Sequence, residues 1–421
     1  MRAGRAAPKS LSDQSLSTSA SATYGALLRV PGFARIYASL LLGRVSGQMV
    51  TVTLVLFVLD RYRSPQLAGV TAFLVIFPGL IVSPIAGALL DRHGRARLVV
   101  LDYLIAAVSI ALIAILSALH HLPSGVLLAI VGVSSLTNPL SATGARSLFP
   151  VLAPKHLWER ANALDSGGHV ISQLVGSPLA GVLVGLAGAE KALGVSSALF
   201  VAAALIMFRV TDPSPKTRPE ERILVQAWRG LVYVMRNQTL RGLALTLATF
   251  NLSWGFLTIA IPVLVLGRLH GGPATVGLLW GALGAAGLVS ALIAGRVSSL
   301  GRERQLMMGS ILVSAVAFAT LPFARSLAVV AAAIVVMGLA NGPFDIGLFT
   351  LRQRRTEPAW FGRAFAVSMS VNWIGTPIGS AVAGPIIGWS LDAALWVAVA
   401  AALAAAIFPM LAIPAGNEAG T

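Results

Sequence analysis

The stretch GALLDRHGRAR, residues 87–97, decides how the rest of this sequence is interpreted. It contains one acidic residue, three arginines and a histidine, in a chain of which only 11% of residues are charged. It lies between two long apolar runs, at 66–90 and 98–119. Because charge is costly in hydrocarbon, the stretch predicts a polar loop between two membrane helices.

Composition places the whole chain in a membrane. Of its 421 residues, 56% are hydrophobic, and about 20 consecutive apolar residues cross a bilayer as a helix. In lipid the backbone polar groups must be satisfied internally, which helices do. We therefore predict an all-α membrane protein with twelve helices, at 36–59, 66–90, 98–119, 123–147, 164–188, 192–209, 242–266, 274–296, 305–323, 326–350, 364–389 and 393–413.

The charged stretch also resembles a known motif. It is similar, position by position, to the loop that joins the second and third helices of the major facilitator superfamily. The matching residues are Gly87, Asp91, Arg92, Gly94, Arg95 and Arg97. The resemblance covers roughly residues 31–413, and within the superfamily it is to bacterial drug and siderophore exporters. It implies two pseudo-symmetric six-helix bundles that work by alternating access.

Internal repeats support two halves. Gln173 precedes Pro178 by five positions in the fifth predicted helix, as Asn372 precedes Pro377 in the eleventh. A degraded copy of the charged stretch follows the eighth helix at 295–304. Repeated halves around a central site are typical of carriers that rock between two states.

Changes in composition predict five regions. Residues 1–30 are rich in Ser and basic residues and are expected to be a disordered tail. The first bundle follows at 31–210, and the second at 241–413. Residues 211–240 form a linker whose amphipathic helix is expected in the membrane interface, and residues 414–421 form a second tail.

The net charge of +16 is explained by the orientation of the chain in the membrane. Twelve helices place most of the 31 Lys and Arg residues on the side of the termini. The opposite loops hold five: Arg61, Arg63, Lys191, Arg268 and Arg325. Cytoplasmic loops carry the excess of Lys and Arg, so we expect both termini in the cytoplasm and the protein in the inner membrane. The basic surplus is then explained by lipid headgroups and not by nucleic acid.

The sequence lacks the residue patterns that several kinds of activity require. The chain has no cysteine, no HExxH spacing and no P-loop string for ATP, so we expect no metal, no cofactor and no ATP-driven cycle. A membrane enzyme would need converging catalytic groups, and a sensor or scaffold a sizeable soluble domain. We expect neither, and we expect a monomer.

Polar residues within helices mark a substrate cavity, because such residues face a cavity or a partner helix. Arg44, Gln48 and Thr51 share one face of the first helix. The resemblance implies that helices one, four, seven and ten line the pathway, with three, six, nine and twelve outside. The candidate residues are Arg44, Gln48, Thr51, Asn138, Gln173, Asn251, Trp254, Asn341 and Asn372.

Acidic residues within the helices suggest two different roles. Asp345 lies well inside the tenth helix and could exchange a proton during transport. Alternatively, it forms an ion pair with Arg352 or Arg44 that holds a gate. Arg44 itself could bind an anionic substrate group or belong to a structural pair. Asp102 and Asp165 lie near helix ends and are expected to be structural.

Two motifs concern movement. The resemblance implies that Asp91 touches the N-terminus of the eleventh helix and latches the halves. Arg146, at the inner end of the fourth helix, is the expected counter-ion. Alternatively, these charges only anchor the loop in the cytoplasm. Small residues and prolines in helices five and eleven predict either a hinge or close helix packing. These residues are Gly176, Pro178, Gly181, Gly375 and Pro377.

The combined expectation is a secondary transporter. It would export amphiphilic small molecules, such as drugs, antibiotics or a siderophore, in exchange for protons. The alternative is a carrier of lysolipids or of another metabolite, working as a uniporter or symporter.

A substitution tests the latch. We expect Asp91→Asn to abolish or strongly reduce transport, because the amide lacks the charge that a helix N-terminus stabilises by roughly 0.3–1 kcal/mol. The amount of protein in the membrane fraction should not change. Normal transport by this variant would contradict the latch.

Overall fold

The computed structural model describes residues 23–210, 223–296, 299–356, 368 and 371–414. This part of the chain is mostly helical. The first half contains six membrane helices. The fourth is broken into two segments by Leu136 and Thr137. The helices are Phe33–Arg61, Pro65–His93, Arg95–Ala118, Ser124–Ser135 with Asn138–Leu152, Trp158–Ala187 and Ala189–Phe208.

The second half repeats this arrangement. A π-helical turn, Leu264–Arg268, extends the seventh helix, and a 3₁₀ turn, Leu321–Phe323, extends the ninth. The helices are Gln238–Val263, Pro273–Ala294, Glu303–Thr320, Leu327–Arg354, Gly375–Trp389 and Leu391–Leu411. Eleven helices of the described chain are long and apolar enough to cross a membrane. Gly375–Trp389 belongs to the eleventh predicted helix; of its earlier residues, 368 and 371–374 are described, all but the last of them helical.

The charged stretch at 87–97 is mostly helical and not an extended loop. The second helix continues through Asp91 to His93, and the third begins at Arg95. Gly94 alone joins them, with a φ of 94°, a conformation that glycine adopts without the steric cost of a side chain. The chain therefore reverses within one residue, and the predicted loop is wrong in its length.

The tails and the linker are described in part. Residues 24–28, which we expected within a disordered tail, form a short helix capped by the hydroxyl of Thr23. Leu27 of this helix is buried, which explains why the segment is ordered. The linker contains the predicted helix, at Ile223–Arg236. Residues 1–22, 211–222 and 415–421 lie outside the described residues.

The two halves share one packing scheme. In the first half, helix one packs on helices five and six, helix three on four and six, and helix two on four. In the second half, helix seven packs on eleven and twelve, helix nine on ten and twelve, and helix eight on ten. Helices two and eleven, and helices five and eight, join the halves. The repeats read from the sequence therefore correspond to a structural pseudo-symmetry.

Small residues bring the halves together at the end of the bundle opposite the chain termini, called here the far end. A Cβ atom at Gly181 in the fifth helix would lie 2.6 Å from the carbonyl oxygen of Pro273 in the eighth. A Cβ at Gly384 in the eleventh would lie 2.7 Å from that of Pro65 in the second. Real Cβ atoms do not approach so closely, so both contacts require glycine, and the bundle is closed at its far end.

Enlarging one of these glycines tests the far-end contact. We expect Gly181→Val to lower the stability by about 1–3 kcal/mol, because overpacking forces neighbouring helices apart. The measurement is the apparent Tm of the purified protein in detergent. Gly194→Val in the sixth helix is the matched control, since a Cβ there has no neighbour within 4 Å. Equal Tm losses in the two variants would contradict the assigned contact.

Candidate functional site

A cavity of about 400 Å³ lies within the first half. Its walls come from all six helices of that half, and they combine polar groups with aliphatic and aromatic side chains. The polar lining residues are Arg44, Gln48, Thr51, Asp102, Tyr103, Ser109, Ser134, Ser135, Asn138, Ser141, Arg146 and His169. A volume of this size is within the range of pockets that hold small organic molecules.

Four of the predicted substrate residues meet at this cavity. Arg44, Gln48 and Thr51 of the first helix form one wall, as their spacing predicted, and Asn138 of the fourth helix is exposed beside them. The amide of Gln48 donates a hydrogen bond to Ser177 Oγ at 3.0 Å. This bond holds its side chain against the fifth helix.

An ion-pair cluster closes one side of the cavity. The carboxylate of Asp165, in the fifth helix, is 3% exposed and contacts two arginines at 2.6 Å each. Oδ1 accepts from Arg44 Nη2 in the first helix, and Oδ2 accepts from Arg146 Nε in the fourth. Arg44 Nη1 also donates to the Asp165 carbonyl oxygen at 2.8 Å. One carboxylate thus connects three helices.

This cluster changes the partners that we expected. Arg44 pairs with Asp165 and not with Asp345, because the first helix packs on the fifth and sixth helices. Arg146, expected as the counter-ion of Asp91, contacts Asp165. The sequence did carry a signal for this site: Asp165 and His169 are four residues apart and share a helix face, and His169 also lines the cavity.

A second acidic residue reaches the cavity from the third helix. Asp102 is 4% exposed, and its carboxyl group lies against the hydroxyls of Thr137 and Ser141 and the backbone N–H of Ser141. With Tyr103 and Ser109 it brings the third helix into the cavity wall, and Phe200 brings the sixth. This cavity lies within one half, so the expectation that helices three and six lie outside the central pathway stays a prediction.

The candidates of the second half do not line this cavity. Asn251 donates from Nδ2 to the Asn372 carbonyl oxygen at 2.8 Å, which joins helices seven and eleven. Trp254 packs edge-on against Phe318, with ring centroids 5.8 Å apart. Asn341 of the second half is half-buried and does not line the cavity either. Gln173 belongs to the first half, but it faces Gly284 of the eighth helix and is likewise absent from the lining.

Asp345 is exposed on the tenth helix. Among the described residues, Asp345 forms no salt bridge with Arg352 or Arg44, and Arg44 pairs with Asp165. The side chain does not line the first-half cavity. Its role in proton exchange stays a prediction.

Residues of the predicted hinge motif lie at close helix contacts. A Cβ at Gly176 would lie 2.9 Å from the Val45 carbonyl oxygen of the first helix. Pro178 contacts Gly281 of the eighth helix, and Gly375 contacts Ala248 of the seventh. Pro377 is buried in the eleventh helix. These contacts agree with the packing alternative, and the hinge alternative stays a prediction.

The predicted latch is described only in part. Arg95 donates from Nη1 to the Ser147 carbonyl oxygen at 2.8 Å, which ties the third helix to the fourth. Arg92 and Arg97 are exposed. The side chain of Asp91 and residues 357–367, ahead of the eleventh helix, lie outside the described residues.

Comparison with known proteins gives one family. The family model described as Major Facilitator Superfamily matches residues 36–299 and 243–419. An uncharacterized MFS-type transporter, y4rN, of Sinorhizobium fredii is 39% identical over 93% of this chain and 97% of its own. The multidrug efflux pump Tap of Mycolicibacterium fortuitum is 25% identical over 83% and 88%.

More distant matches are one further relative by sequence and two solved structures that share the fold. Macrolide efflux protein A of Streptococcus pyogenes is 19% identical over 82% of this chain and 87% of its own. The nucleoside transporter NupG, solved as a point mutant, is 12% identical, with a TM-score of 0.74 over 90% of this chain and 99% of NupG. An inward-facing, unoccupied bacterial homologue of the human lysosomal transporter Spinster is 16% identical, with a TM-score of 0.67 over 90% and 94%.

Removing the shared carboxylate tests the ion-pair cluster. We expect Asp165→Asn to destabilise the protein by about 3–5 kcal/mol, since it leaves arginines without their buried partner. Asp60→Asn is the control, because its pair with Arg63 is exposed and 3.9 Å long and should contribute less than about 1 kcal/mol. Apparent Tm values in detergent make the comparison, and equal losses would refute a special role for Asp165.

Proposed function

We propose, from the premise that this chain belongs to the major facilitator superfamily, that it exports amphiphilic small molecules in exchange for protons. Members of this family are multi-pass membrane transporters, and so is this chain. The substrate class, the direction and the coupling ion are our proposal. The cavity in the first half is the observation that carries it.

The lining of the cavity suits an amphiphile. Aliphatic side chains such as Leu54, Ile110 and Val131 face polar groups such as Gln48 and Asn138 across about 400 Å³. Apolar walls with a few polar groups are typical of small-molecule sites. The relatives named for multidrug and macrolide efflux support this class of substrate, while the likeness to NupG supports the fold alone.

Alternating access is supported by the glycine contacts. The halves touch closely at the far end, through helices two and eleven and helices five and eight. If the basic loops mark the cytoplasmic side, this structure is closed to the outside and corresponds to an inward-facing state. Opening outward would separate those contacts, and the predicted latch at Asp91 would close the other side.

Proton coupling supplies the energy in this proposal, and Asp345 is the candidate residue for it. A carboxyl group in a membrane helix is costly, so its presence in the tenth helix favours a role in ion exchange. Proton exchange by a carboxyl group would equally drive a carrier of lysolipids or of another metabolite. The experiment must therefore distinguish that alternative from drug export.

Reconstitution tests the proposal. The purified protein in proteoliposomes is given radiolabelled erythromycin or the cationic dye ethidium, with an imposed pH gradient. We expect uptake into vesicles with an acidic interior, together with a loss of internal protons. Collapsing the gradient with a protonophore should abolish accumulation, and so should Asp345→Asn if that residue carries the proton.

The controls separate the alternatives. Ser134→Trp should block uptake, because Ser134 lines the cavity, whereas Val133→Trp should not, because Val133 is 64% exposed on the outer surface of the same helix. Transport unaffected by the protonophore would indicate a uniporter or another coupling ion. Transport of a lysolipid but of neither drug would favour the alternative carrier.

A further inference from the structure

The acidic residues around the first-half cavity are covered. The side chain of Asp165 is 3% exposed, and both of its carboxylate oxygens accept hydrogen bonds from arginines. Asp102, the acidic residue of the lining, is 4% exposed. A cationic ligand would need a carboxylate that it can contact. These two residues therefore do not provide a site for a cation.

The two arginines of the cavity differ in what they leave accessible. The side chain of Arg44 is 12% exposed, and both of its terminal nitrogens donate to Asp165. The side chain of Arg146 is 56% exposed, and its Nε and Nη2 both lie 2.6 Å from Asp165 Oδ2. A guanidinium has five N–H donors, and Nη1 of Arg146 forms no hydrogen bond to any described residue. Asp165 thus holds Arg146 by one edge and leaves the other edge free for a ligand.

Two further donors lie beside this guanidinium. Asn138 is exposed two turns before Arg146 on the same helix, and His169 is exposed one turn after Asp165. Both side chains line the cavity. An amide and an imidazole each have an N–H to donate. Arginine binds planar anions such as carboxylates through parallel hydrogen bonds, so this group of donors suits the anionic end of a ligand.

The cavity becomes apolar toward the far end of the bundle. The first helix contributes Arg44, then Thr51 and finally Leu54, which is the order in which it runs toward the far end. The fourth helix runs in the opposite direction and contributes Val131 before Arg146. From Arg44 to Leu54 a helix rises about 15 Å. A ligand that matches this lining has a charged group at one end and an apolar body behind it.

We propose that the first-half cavity binds an amphiphilic organic acid, whose anionic group lies against Arg146 and whose apolar body extends toward the far end. This inference rests on the proposed function and refines it, because it gives the exported amphiphile a negative charge. It also moves to Arg146 the anion contact that the sequence left open for Arg44. Erythromycin and ethidium, which are cations near neutral pH, are then weaker ligands than an acid of similar size.

A pair of dyes tests the anion contact. Rhodamine 110 has a free carboxylate and rhodamine 123 is its methyl ester, so the two differ by one charged group on the same ring system. Their dissociation constants are measured by fluorescence anisotropy with the purified protein in a nonionic detergent. We expect rhodamine 110 to bind about tenfold more tightly, as one hydrogen bond to a charged group provides. Equal binding, or tighter binding of the ester, would overturn the inference.

Substitutions show where the preference arises. Arg146→Gln should remove the difference between the dyes and leave rhodamine 123 binding unchanged, while Arg146→Lys should retain part of the difference. Arg160→Gln is the matched control and should keep the full difference, because Arg160 pairs with Glu159 and is absent from the lining. A full difference in Arg146→Gln would contradict the assigned contact.

A second variant decides the question even if Arg146→Gln does not fold. Ser134→Trp fills the cavity without replacing a member of the ion-pair cluster, and it should abolish the binding of both dyes. If this variant still prefers rhodamine 110, the preference arises outside the cavity and the inference is wrong.

Two competitors identify the source of the anionic group. Naphthoate is a free organic acid, whereas lysophosphatidylglycerol carries its negative charge on a lipid. Displacement of rhodamine 110 by naphthoate supports a soluble acid as the ligand, and displacement by the lysolipid alone supports a lipid. Displacement by neither competitor would count against an anion site.

The inference and the proposed function can fail separately, because dye binding is measured without vesicles or a pH gradient. If the dyes show a preference that depends on Arg146 while transport ignores the gradient, the proton coupling is wrong and the anion site stands. If erythromycin or ethidium transport follows the gradient while both dyes bind equally, only the anion site is wrong.

Discussion

The shared carboxylate of Asp165 is the interaction on which the first half depends. It is buried, and a buried charge is tolerated only when it is paired and hydrogen-bonded. Two arginines from two other helices satisfy it, so helices one, four and five are held in one arrangement. Removing one partner of such a cluster costs far more than an exposed pair contributes. The same cluster forms a wall of the cavity, so the stability of the half and the shape of the site share a cause.

The polar wall of the cavity contains a second acidic residue. Asp165 pairs with both Arg44 and Arg146, and Asp102 of the third helix is buried beside the same cavity. The first half therefore collects two arginines and two acidic side chains around one space. Because polar groups within a membrane are costly unless they face a cavity or a partner, this concentration distinguishes the site from the apolar packing around it.

The halves share a packing scheme but differ in content. Small residues allow close helix contacts in both, as expected in a membrane, where helix association depends on packing more than on the hydrophobic effect. The first half surrounds the polar cavity. The second places Phe250, Trp254 and Phe318 in mutual ring contact. The pseudo-symmetric scaffold thus holds an ionic site in one half and an aromatic cluster in the other.

The sequence by itself determined the helices and many of the polar positions. Hydrophobic length predicted the spans, and helical periodicity placed Arg44, Gln48 and Thr51 on one wall, because both depend on neighbours in the chain. Only the tertiary structure decided the partners. Arg44 meets Asp165 across 121 positions, and periodicity gives the face of a helix but not the helix opposite. The reversal at Gly94 was likewise decided by how helices two and three meet.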